Sequence, residues 1–294
     1  MSAHVKSGFV AVVGRPNVGK STLVNAAVGT KVAITSPRPQ TTRNTIRGVV
    51  HRPEAQLVLV DSPGLHKPKN ALGERLNRLV YGTLAESDAA LFVLDATSPI
   101  GPGDRLIAER LREARVETVV AVNKTDVGDK DEVVSQLGHA GEWDFAAYVP
   151  TSAVTGENVG LVVDELIRLM PDGPAYFPAE MVTDQPEQIV IAELVREKYL
   201  ARLREELPHS LTVTVEDIEE RDNGITHIGA RVIVERDSQK GIVIGKGGEM
   251  LKTVGQEARA EIEALLGTQV FLELRVKVEK DWQDRPQLLD RLGF

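Results

Sequence analysis

Apolar segments with the composition of β-strands alternate with helical patterns along residues 8–170. Several of these segments are apolar without alternation, which is typical of strands covered on both faces. The six segments are Phe9–Val13, Thr45–Val50, Gln56–Val60, Ala89–Leu94, Thr118–Val122 and Phe145–Val149. Most of them are separated by helical patterns, at 20–29, 71–87, 103–115, 131–140 and 157–170. Such alternation predicts an α/β unit with a mostly parallel sheet and right-handed crossovers.

The pattern changes after a segment with prolines at 171, 174, 178 and 186. This segment predicts a stiff, extended linker. Beyond it the predicted order is α-β-β-α-α-β, with a helix over 187–207, strands over 210–218 and 225–234, a helix over 249–266 and a strand over 269–278. We therefore expect an α/β domain at 1–172, a linker at 173–187 and a small α+β domain at 188–294. The length of 294 residues also suggests two domains.

Composition excludes several classes of protein. The chain has no cysteine, which rules out a disulfide scaffold, a thiolate metal site and a cysteine nucleophile. It has no apolar run of membrane-spanning length and no signal-peptide pattern, so we expect a soluble cytoplasmic protein. The net charge is −8, and residues 181–230 hold 5 basic and 11 acidic side chains against 11 and 11 in 231–294. An anion-binding surface in the second domain is therefore expected after residue 230.

The first strand ends in the glycine-rich motif GxxxxGK[ST], which leads directly into a helix. Glycines let the backbone N–H groups surround an anion, and the helix N-terminus adds its dipole. Lys20 is predicted to contact the β- and γ-phosphates of a nucleotide, and the Ser21 hydroxyl to ligate Mg²⁺. Because a strand and a helix flank the motif, a plain glycine-rich turn is the weaker alternative. The predicted phosphate-loop residues are Gly14, Arg15, Pro16, Asn17, Val18, Gly19, Lys20, Ser21 and Thr22.

Three further motifs each follow an apolar strand. In the first, Asp61 is placed to hold Mg²⁺ through water, and the Gly64 N–H to approach a γ-phosphate. In the second, the Asp126 carboxylate suits guanine, which presents two N–H donors on one edge. In the third, backbone N–H groups are available to guanine O6. Each motif is weak alone, but carboxyl ends of strands form the ligand-binding edge of open α/β sheets. Together they predict a guanine-nucleotide site formed by Asp61, Ser62, Pro63, Gly64 and Leu65, by Asn123, Lys124 and Asp126, and by Ser152 and Ala153.

A polar, proline-containing segment at 35–44 lies between the first two motifs and is predicted to be a mobile loop. A threonine in this segment could ligate Mg²⁺ when a γ-phosphate is bound and so order the loop as a switch. Physical argument leaves both Thr41 and Thr42 as candidates.

These motifs resemble the Era family of TRAFAC-class GTPases over nearly the whole chain. The resemblance rests on GRPNVGKST at 14–22, QTTR at 40–43, DSPG at 61–64, NKTD at 123–126, SA at 152–153 and GPAYFP at 173–178. It implies that Thr42 is the switch ligand of Mg²⁺ and acts in catalysis with Lys20 and Gly64. Ser62 stands where the family usually has threonine, which preserves a small hydroxyl. Leu65 stands where Ras-like proteins have a water-orienting glutamine, so we expect slow basal GTP hydrolysis.

Asn17 carries two open interpretations. Its amide oxygen could bind a monovalent cation such as K⁺ beside the phosphates, as in related potassium-stimulated GTPases. Alternatively, its side chain only stabilises the loop by a bond to the backbone. The loop pattern favours neither.

The second domain contains a GxxG loop between two helical segments. Such a loop lets single-stranded RNA lie against helix N-termini, and the α-β-β-α-α-β setting resembles a type II KH domain. Lys240, Lys246 and Lys252 could form a local phosphate-binding patch. The predicted RNA-binding residues are Lys240, Ile244, Gly245, Lys246, Gly247, Gly248 and Lys252. The acidity of this domain keeps open the alternative that it binds protein.

The family resemblance implies a GTP-dependent switch that binds the 3′ end of small-subunit ribosomal RNA and assists assembly of that subunit. It also implies loose contact with the inner membrane face, and we expect a monomer. Contacts to the γ-phosphate should order residues 35–44 and 62–70 and thereby alter the second domain. One alternative is a signalling or scaffold G protein whose second domain binds protein. An RNA-modification GTPase is disfavoured, because the chain has no cysteine and no separate catalytic domain.

Overall fold

A computed structural model describes residues 5–65, 67–222 and 224–294. Residues 1–4, His66 within the predicted switch segment 62–70, and Asn223 lie outside the described residues. Two compact units are present: the first contains residues 5–35, 39–69 and 73–184 apart from His66, and the second contains 36–38, 70–72 and 185–294 apart from Asn223. Among these described residues, no helix combines the length and apolarity that a membrane crossing requires.

The first unit alternates strands and helices, and this confirms the predicted α/β class. Its strands are β1 (Val5–Val13), β2 (Ile46–Arg52), β3 (Ala55–Asp61), β4 (Ala89–Asp95), β5 (Thr118–Asn123), β6 (Ala147–Thr151) and the short β7 (Asp172–Gly173). Its helices are α1 (Lys20–Val28), α2 (Ala71–Ala85), α3 (Pro102–Ala114), α4 (Lys130–Gly141) and α5 (Val159–Leu169).

The strand order β2-β3-β1-β4-β5-β6 places β1 between β3 and β4. All pairs along this path are parallel except β2 with β3. After β1 the chain forms β2 and β3 on one side of that strand, and it then forms β4, β5 and β6 on the other side. The carboxyl end of β1 lies at the point where the strand order reverses, which is where open α/β sheets bind ligands.

Apolar side chains cover both faces of the sheet. Val10 and Val12 of β1 pack into one apolar layer, and the alternate residues Ala11 and Val13 pack into the other. Every residue of β5 is buried. Burial on both faces explains the unbroken apolar runs in the sequence.

The proline-rich segment is hydrogen-bonded to the first unit through Gln56. The Gln56 side chain accepts from the backbone N–H groups of Tyr176 and Phe177 at 2.6 and 3.0 Å, and donates to the Phe177 carbonyl at 2.8 Å. The backbone N–H of Val49 in β2 donates to Val182 O at 2.9 Å. Residues 173–184, predicted as linker, thus belong to the first unit.

The second unit is a small α+β domain, as predicted. Its sheet has the order β10-β9-β8, with β9 and β10 parallel and β8 antiparallel to β9. Its elements are α6 (Glu187–Arg202), α7 (Leu207–Ser210), β8 (Thr212–Glu220), β9 (Thr226–Val234), α8 (Asp237–Ile244), α9 (Glu249–Leu266), β10 (Val270–Val278) and α10 (Pro286–Leu292), with 3₁₀ turns at Lys246–Gly248 and Trp282–Asp284.

The helix predicted over 187–207 is shorter than expected. It ends at Arg202, because Leu203 is extended and Glu205 has a positive φ of 58°. Pro208 then lies in the first turn of the short helix α7, a position that needs no backbone N–H. The buried Trp282 donates from its indole N–H to Ser210 O at 2.9 Å and stacks on Phe294, so the last residues pack on this domain.

Candidate functional site

The phosphate loop curls at the carboxyl end of β1 with the backbone that its glycines permit. Gly14 has a φ of 153° and Gly19 a φ of 94°. A Cβ atom at Gly14 would lie 2.5 Å from Val93 O, so no larger residue fits there. Asn17, at the exposed tip, also has a positive φ, of 67°.

Lys20 is buried at the start of α1, and the loop surrounds its ammonium group. Nζ donates to Gly14 O at 3.1 Å and to Arg15 O at 3.0 Å. Burial lowers the pKa of Lys20 to about 8, and the nearby charge of Asp61 only partly offsets this. The concavity therefore holds a desolvated cation where the phosphates were predicted.

Three oxygen-bearing side chains meet beside this lysine. Ser21 Oγ donates to Asp61 Oδ2 at 2.6 Å and lies 2.9 Å from Thr42 Oγ1. Thr42 Oγ1 also lies 3.3 Å from Asp61 Oδ2. The structure thus brings together the three predicted Mg²⁺ ligands from α1, β3 and the 35–44 segment, and it is the Thr42 hydroxyl that joins them.

The negative charge of the buried Asp61 carboxylate is only partly compensated by its neighbours. Burial raises its pKa, and Lys20 and the hydroxyl donors only partly counter that effect. Its Oδ1 atom is buried and has no hydrogen-bond partner among the described residues. A carboxylate and two hydroxyls form the hard oxygen donor set that Mg²⁺ takes. The residues present therefore fit this ion.

The segment after β3 lies against the phosphate loop. A Cβ at Gly64 would be 2.8 Å from the Pro16 nitrogen, so only glycine allows this approach. The Ser62 hydroxyl donates to Val12 O at 3.0 Å and anchors the segment to β1, while Pro63 is buried. Leu65 packs on the apolar layer of the sheet and offers no group that can orient water.

The Arg15 side chain is bonded to Asp104 of α3 and to Ser98 just before that helix. Its Nε donates to Asp104 Oδ1 at 2.7 Å, and its Nη2 to Ser98 Oγ at 3.3 Å. Asp104 is fully buried, and its other oxygen accepts from the Gly101 N–H at 2.9 Å. Sequence reasoning placed Arg15 among the nucleotide-binding residues and missed this ion pair. Its side chain serves to fix the loop.

Asn123 connects the phosphate loop to the loop after β6. Its Nδ2 donates to Val18 O at 2.8 Å, and its Oδ1 accepts from the Ala153 N–H at 2.9 Å. The backbone N–H of Ser152 donates to Glu157 O at 3.1 Å. Both backbone donors predicted for guanine O6 therefore make hydrogen bonds within the protein.

The rest of the guanine motif is fixed by neighbouring loops. Lys124 Nζ donates to Asp95 Oδ2 at 2.6 Å. Burial alone would raise the pKa of Asp95, but the bonds from Lys124 and Thr97 outweigh it and lower that pKa. Asp126 Oδ1 accepts from Ser152 Oγ at 2.7 Å, and among the described residues its Oδ2 makes no hydrogen bond. Asp126 thus retains an acceptor for the base.

The loop after β4, which carries partners of Lys124 and Arg15, is held by the side chain of Gln136. Its Nε2 lies 3.1 Å from Asp95 O, 3.0 Å from Ala96 O and 2.8 Å from Ser98 O. The same loop carries the partner of Lys124 and one partner of Arg15. Gln136, which carries no motif signal, therefore positions the phosphate and guanine motifs together.

In the second unit, the GxxG loop connects α8 to α9 with a backbone that glycine permits. Gly245, Gly247 and Gly248 have φ values of 77°, 63° and 81°. A Cβ at Gly245 would lie 2.7 Å from Met250 Cβ. Of the other predicted RNA-binding side chains, Lys246 and Lys252 are exposed, whereas Lys240 and Ile244 are half-buried.

A groove of about 340 Å³ begins at this loop and lies between α9 and β10. Sequence reasoning predicted two of its residues, Gly248 and Lys252, and missed the others. No local motif marks them, because the groove arises where a helix packs along an edge strand. The remaining lining residues are Leu251, Gly255, Gln256, Arg259, Phe271, Leu272 and Leu274.

Comparisons with known proteins agree with both units. The family described as "50S ribosome-binding GTPase" matches residues 9–124, and the KH domain family matches residues 206–283. The chain is 55% identical to GTPase Era of Mycobacterium avium, over 98% of this chain and 99% of that protein. It is 53% identical to GTPase Era of Mycobacterium tuberculosis, over 98% of each.

Two solved structures share the whole fold. One is an alanine variant of Aquifex aeolicus Era bound to GDP and AlF₄⁻, with a TM-score of 0.95, 38% identity, and coverage of 98% of this chain and 99% of that one. The other is Era in complex with MgGDPNP and nucleotides 1506–1542 of 16S ribosomal RNA, with a TM-score of 0.95, 39% identity and coverage of 99% of each chain.

Fold, site and relatives together define a GTP-hydrolysing enzyme with a phosphate-loop domain and a KH domain. The sequence identity of 55% to one relative, along essentially the full length of both chains, then identifies the family within this class. The chain belongs to the Era family of GTPases, which confirms the resemblance drawn from its motifs.

Proposed function

We propose that this chain is a GTP-operated switch that binds the 3′ end of small-subunit ribosomal RNA and assists assembly of the small ribosomal subunit. One observation supports it most strongly: the KH unit has a groove that begins at its GxxG loop. In such domains the loop holds the RNA backbone while the groove takes the bases. A relative with the same fold is bound to nucleotides 1506–1542 of 16S ribosomal RNA.

The switch would operate through Thr42, Ser21 and Asp61. These residues would hold Mg²⁺, and Lys20 would neutralise charge on the β- and γ-phosphates. The bound ion supplies a Lewis acid that stabilises charge on the transferred phosphoryl group. Thr42 reaches this cluster from the 35–44 segment, so nucleotide state would determine whether that segment is ordered.

Hydrolysis is proposed to be slow without an activator. Leu65 cannot orient water, and the Arg15 side chain is bonded to Asp104 and Ser98. Catalysis would then rest on positioning and charge neutralisation.

We also propose that K⁺ binds at Asn17 and accelerates the reaction. Equal single-turnover rates in potassium and sodium buffers would remove the potassium proposal and leave slow hydrolysis standing.

The RNA-binding proposal is tested by anisotropy with a fluorescein-labelled RNA of nucleotides 1506–1542, titrated with salt. We expect affinity to fall steeply with salt, because phosphate contacts release counterions. Gly245→Asp places a side chain against Met250 and a negative charge at the loop, so it should abolish RNA binding and leave GTP binding intact. Gly138→Asp, at an open position in the first unit, is the matched control.

Absence of RNA binding in the unmodified chain, with normal GTP binding, would contradict the RNA proposal. The second unit would then be a protein-binding module. We propose a cytoplasmic monomer with peripheral contact to the inner membrane face. Sedimentation equilibrium and co-sedimentation with anionic vesicles test these two points separately.

A further inference from the structure

The groove of the second unit has two chemically different ends. Along α9 it runs from Gly248 to Arg259, a rise of about 16 Å at about 1.5 Å per residue. The GxxG loop stands at the Gly248 end. Only residues 267–269 connect α9 to β10, so Phe271, at the start of β10, lies at the opposite end with Arg259.

Phe271 is an exposed aromatic residue held in a fixed position. The residue is 53% exposed, and aromatic residues make up only 4% of the chain. Phe271 and His227 are paired in the register of β10 and β9, and their rings stack with centroids 4.4 Å apart at 22°. Such stacking orients the ring while leaving much of it open to solvent.

The charges around Phe271 differ on its two sides. On the groove side, α9 carries Lys252 and Arg259, which suit phosphates. On the side of His227, a second pocket of about 210 Å³ holds acidic side chains in excess, with Glu216, Asp217, Glu219 and Glu273 against Arg221 and Arg275, so its net charge repels phosphates. A polynucleotide lying in the groove is therefore favoured as far as Phe271 and disfavoured beyond it.

We propose that Phe271, supported by His227, is a stacking platform for one nucleobase of single-stranded RNA at the end of the groove distant from the GxxG loop. A KH loop clamps about four nucleotides. The RNA in the solved relative, nucleotides 1506–1542, is much longer, so further nucleotides need other contacts. This inference rests on the proposed RNA-binding function and adds a contact that the GxxG loop does not provide.

The expected effect of removing the ring is a loss of affinity without a loss of fold. Base–aromatic stacking contributes about 1–3 kcal/mol per base, which corresponds to roughly 5–150-fold in affinity. Phe271→Ala should weaken RNA binding by that factor, and Phe271→Trp should retain it. Phe271→Leu keeps an apolar side chain but no ring face, so it should behave like alanine. Leu265→Ala, 50% exposed on α9 and outside the groove lining, is the matched control.

The test uses the full chain and the labelled RNA of nucleotides 1506–1542, with abasic substitutions placed one position at a time. At one position, removal of the base should weaken RNA binding to the unmodified chain and to Phe271→Trp. Removal of the same base should leave binding to Phe271→Ala unchanged. A 2-aminopurine at that position should be quenched by the unmodified chain and not by Phe271→Ala. Equal melting temperatures confirm that the variants are folded.

The outcomes separate this inference from the proposed function. If Phe271→Ala binds intact RNA like the unmodified chain, or if Phe271→Leu restores full affinity, the stacking platform is wrong while RNA binding stands. The inference would also be wrong if, at every position, removal of the base weakened binding to Phe271→Ala as much as it weakens binding to the unmodified chain. If the unmodified chain binds no RNA, the proposed function fails and this inference fails with it.

Discussion

Arg15 offers the sharpest prediction about the nucleotide site, because its sequence position suggests one role and its contacts another. As a loop arginine beside the phosphates, it is a natural candidate for an arginine finger. In the structure it is bonded to Asp104 and Ser98, at 2.7 and 3.3 Å. Arg15→Ala should therefore reduce stability and leave hydrolysis nearly unchanged.

The magnitude follows from burial. Asp104 is 0% exposed and Arg15 30% exposed at the side chain. A hydrogen bond to a charged group contributes about 1.5–3 kcal/mol, and loss of a partner from a fully buried pair costs about 3–5 kcal/mol. Because Arg15 is partly solvated, we expect about 2 kcal/mol. That is roughly 4–8 °C in melting temperature for a unit of this size.

The assay pairs thermal unfolding with single-turnover GTP hydrolysis. Arg15→Ala and Asp104→Asn should each lower the melting temperature, and the double variant should lose less than the sum of the two. Hydrolysis by Arg15→Ala should stay within about threefold, whereas loss of an arginine finger costs about 10³–10⁵-fold. A rate loss of that size with unchanged stability would refute the role assigned to Arg15.

Three further predictions concern the same edge of the sheet. Asn123→Ala removes bonds to Val18 O and the Ala153 N–H, so GDP release measured with a fluorescent analogue should accelerate by about tenfold or more; an unchanged rate would contradict the bracing role. Asp126→Asn replaces the acceptor for the two guanine N–H donors, so binding should shift from GTP toward XTP in a competition assay, and retained GTP preference would count against this contact. Lys20 has a pKa of about 8 in the free protein, and phosphate binds its charged form. Nucleotide affinity measured by calorimetric titration should therefore be constant below about pH 8 and fall above it. An affinity that rises from about pH 8 to 9 would contradict this expectation.

The motifs of the nucleotide site could be predicted because each is short and follows a strand. GxxxxGK[ST] requires only a strand before it and a helix after it, and β1 and α1 supply both. Burial on both sheet faces makes the strands visible as apolar runs, so β4 begins where predicted and ends one residue later. Local sequence was therefore enough for the fold class and the site edge.

The contacts that fix the site depend on residues far apart in the chain. Arg15 and Asp104 are 89 positions apart, and no motif links them. The engagement of the Ala153 N–H by Asn123 likewise depends on how two loops meet. In the second unit, Phe271 became a candidate only once the pairing of β10 with β9 placed it on His227.

Coupling between nucleotide state and RNA binding is measured by RNA affinity at one salt concentration with GDP, with a GTP analogue and without nucleotide. We expect the RNA affinities with GDP and with the analogue to differ by about 5–150-fold, equivalent to a coupling free energy of about 1–3 kcal/mol. RNA should change the relative affinity for analogue and GDP by the same factor, since coupling is reciprocal. Equal RNA affinity in all three states would contradict the proposed switch, because the protein would then bind RNA independently of its nucleotide.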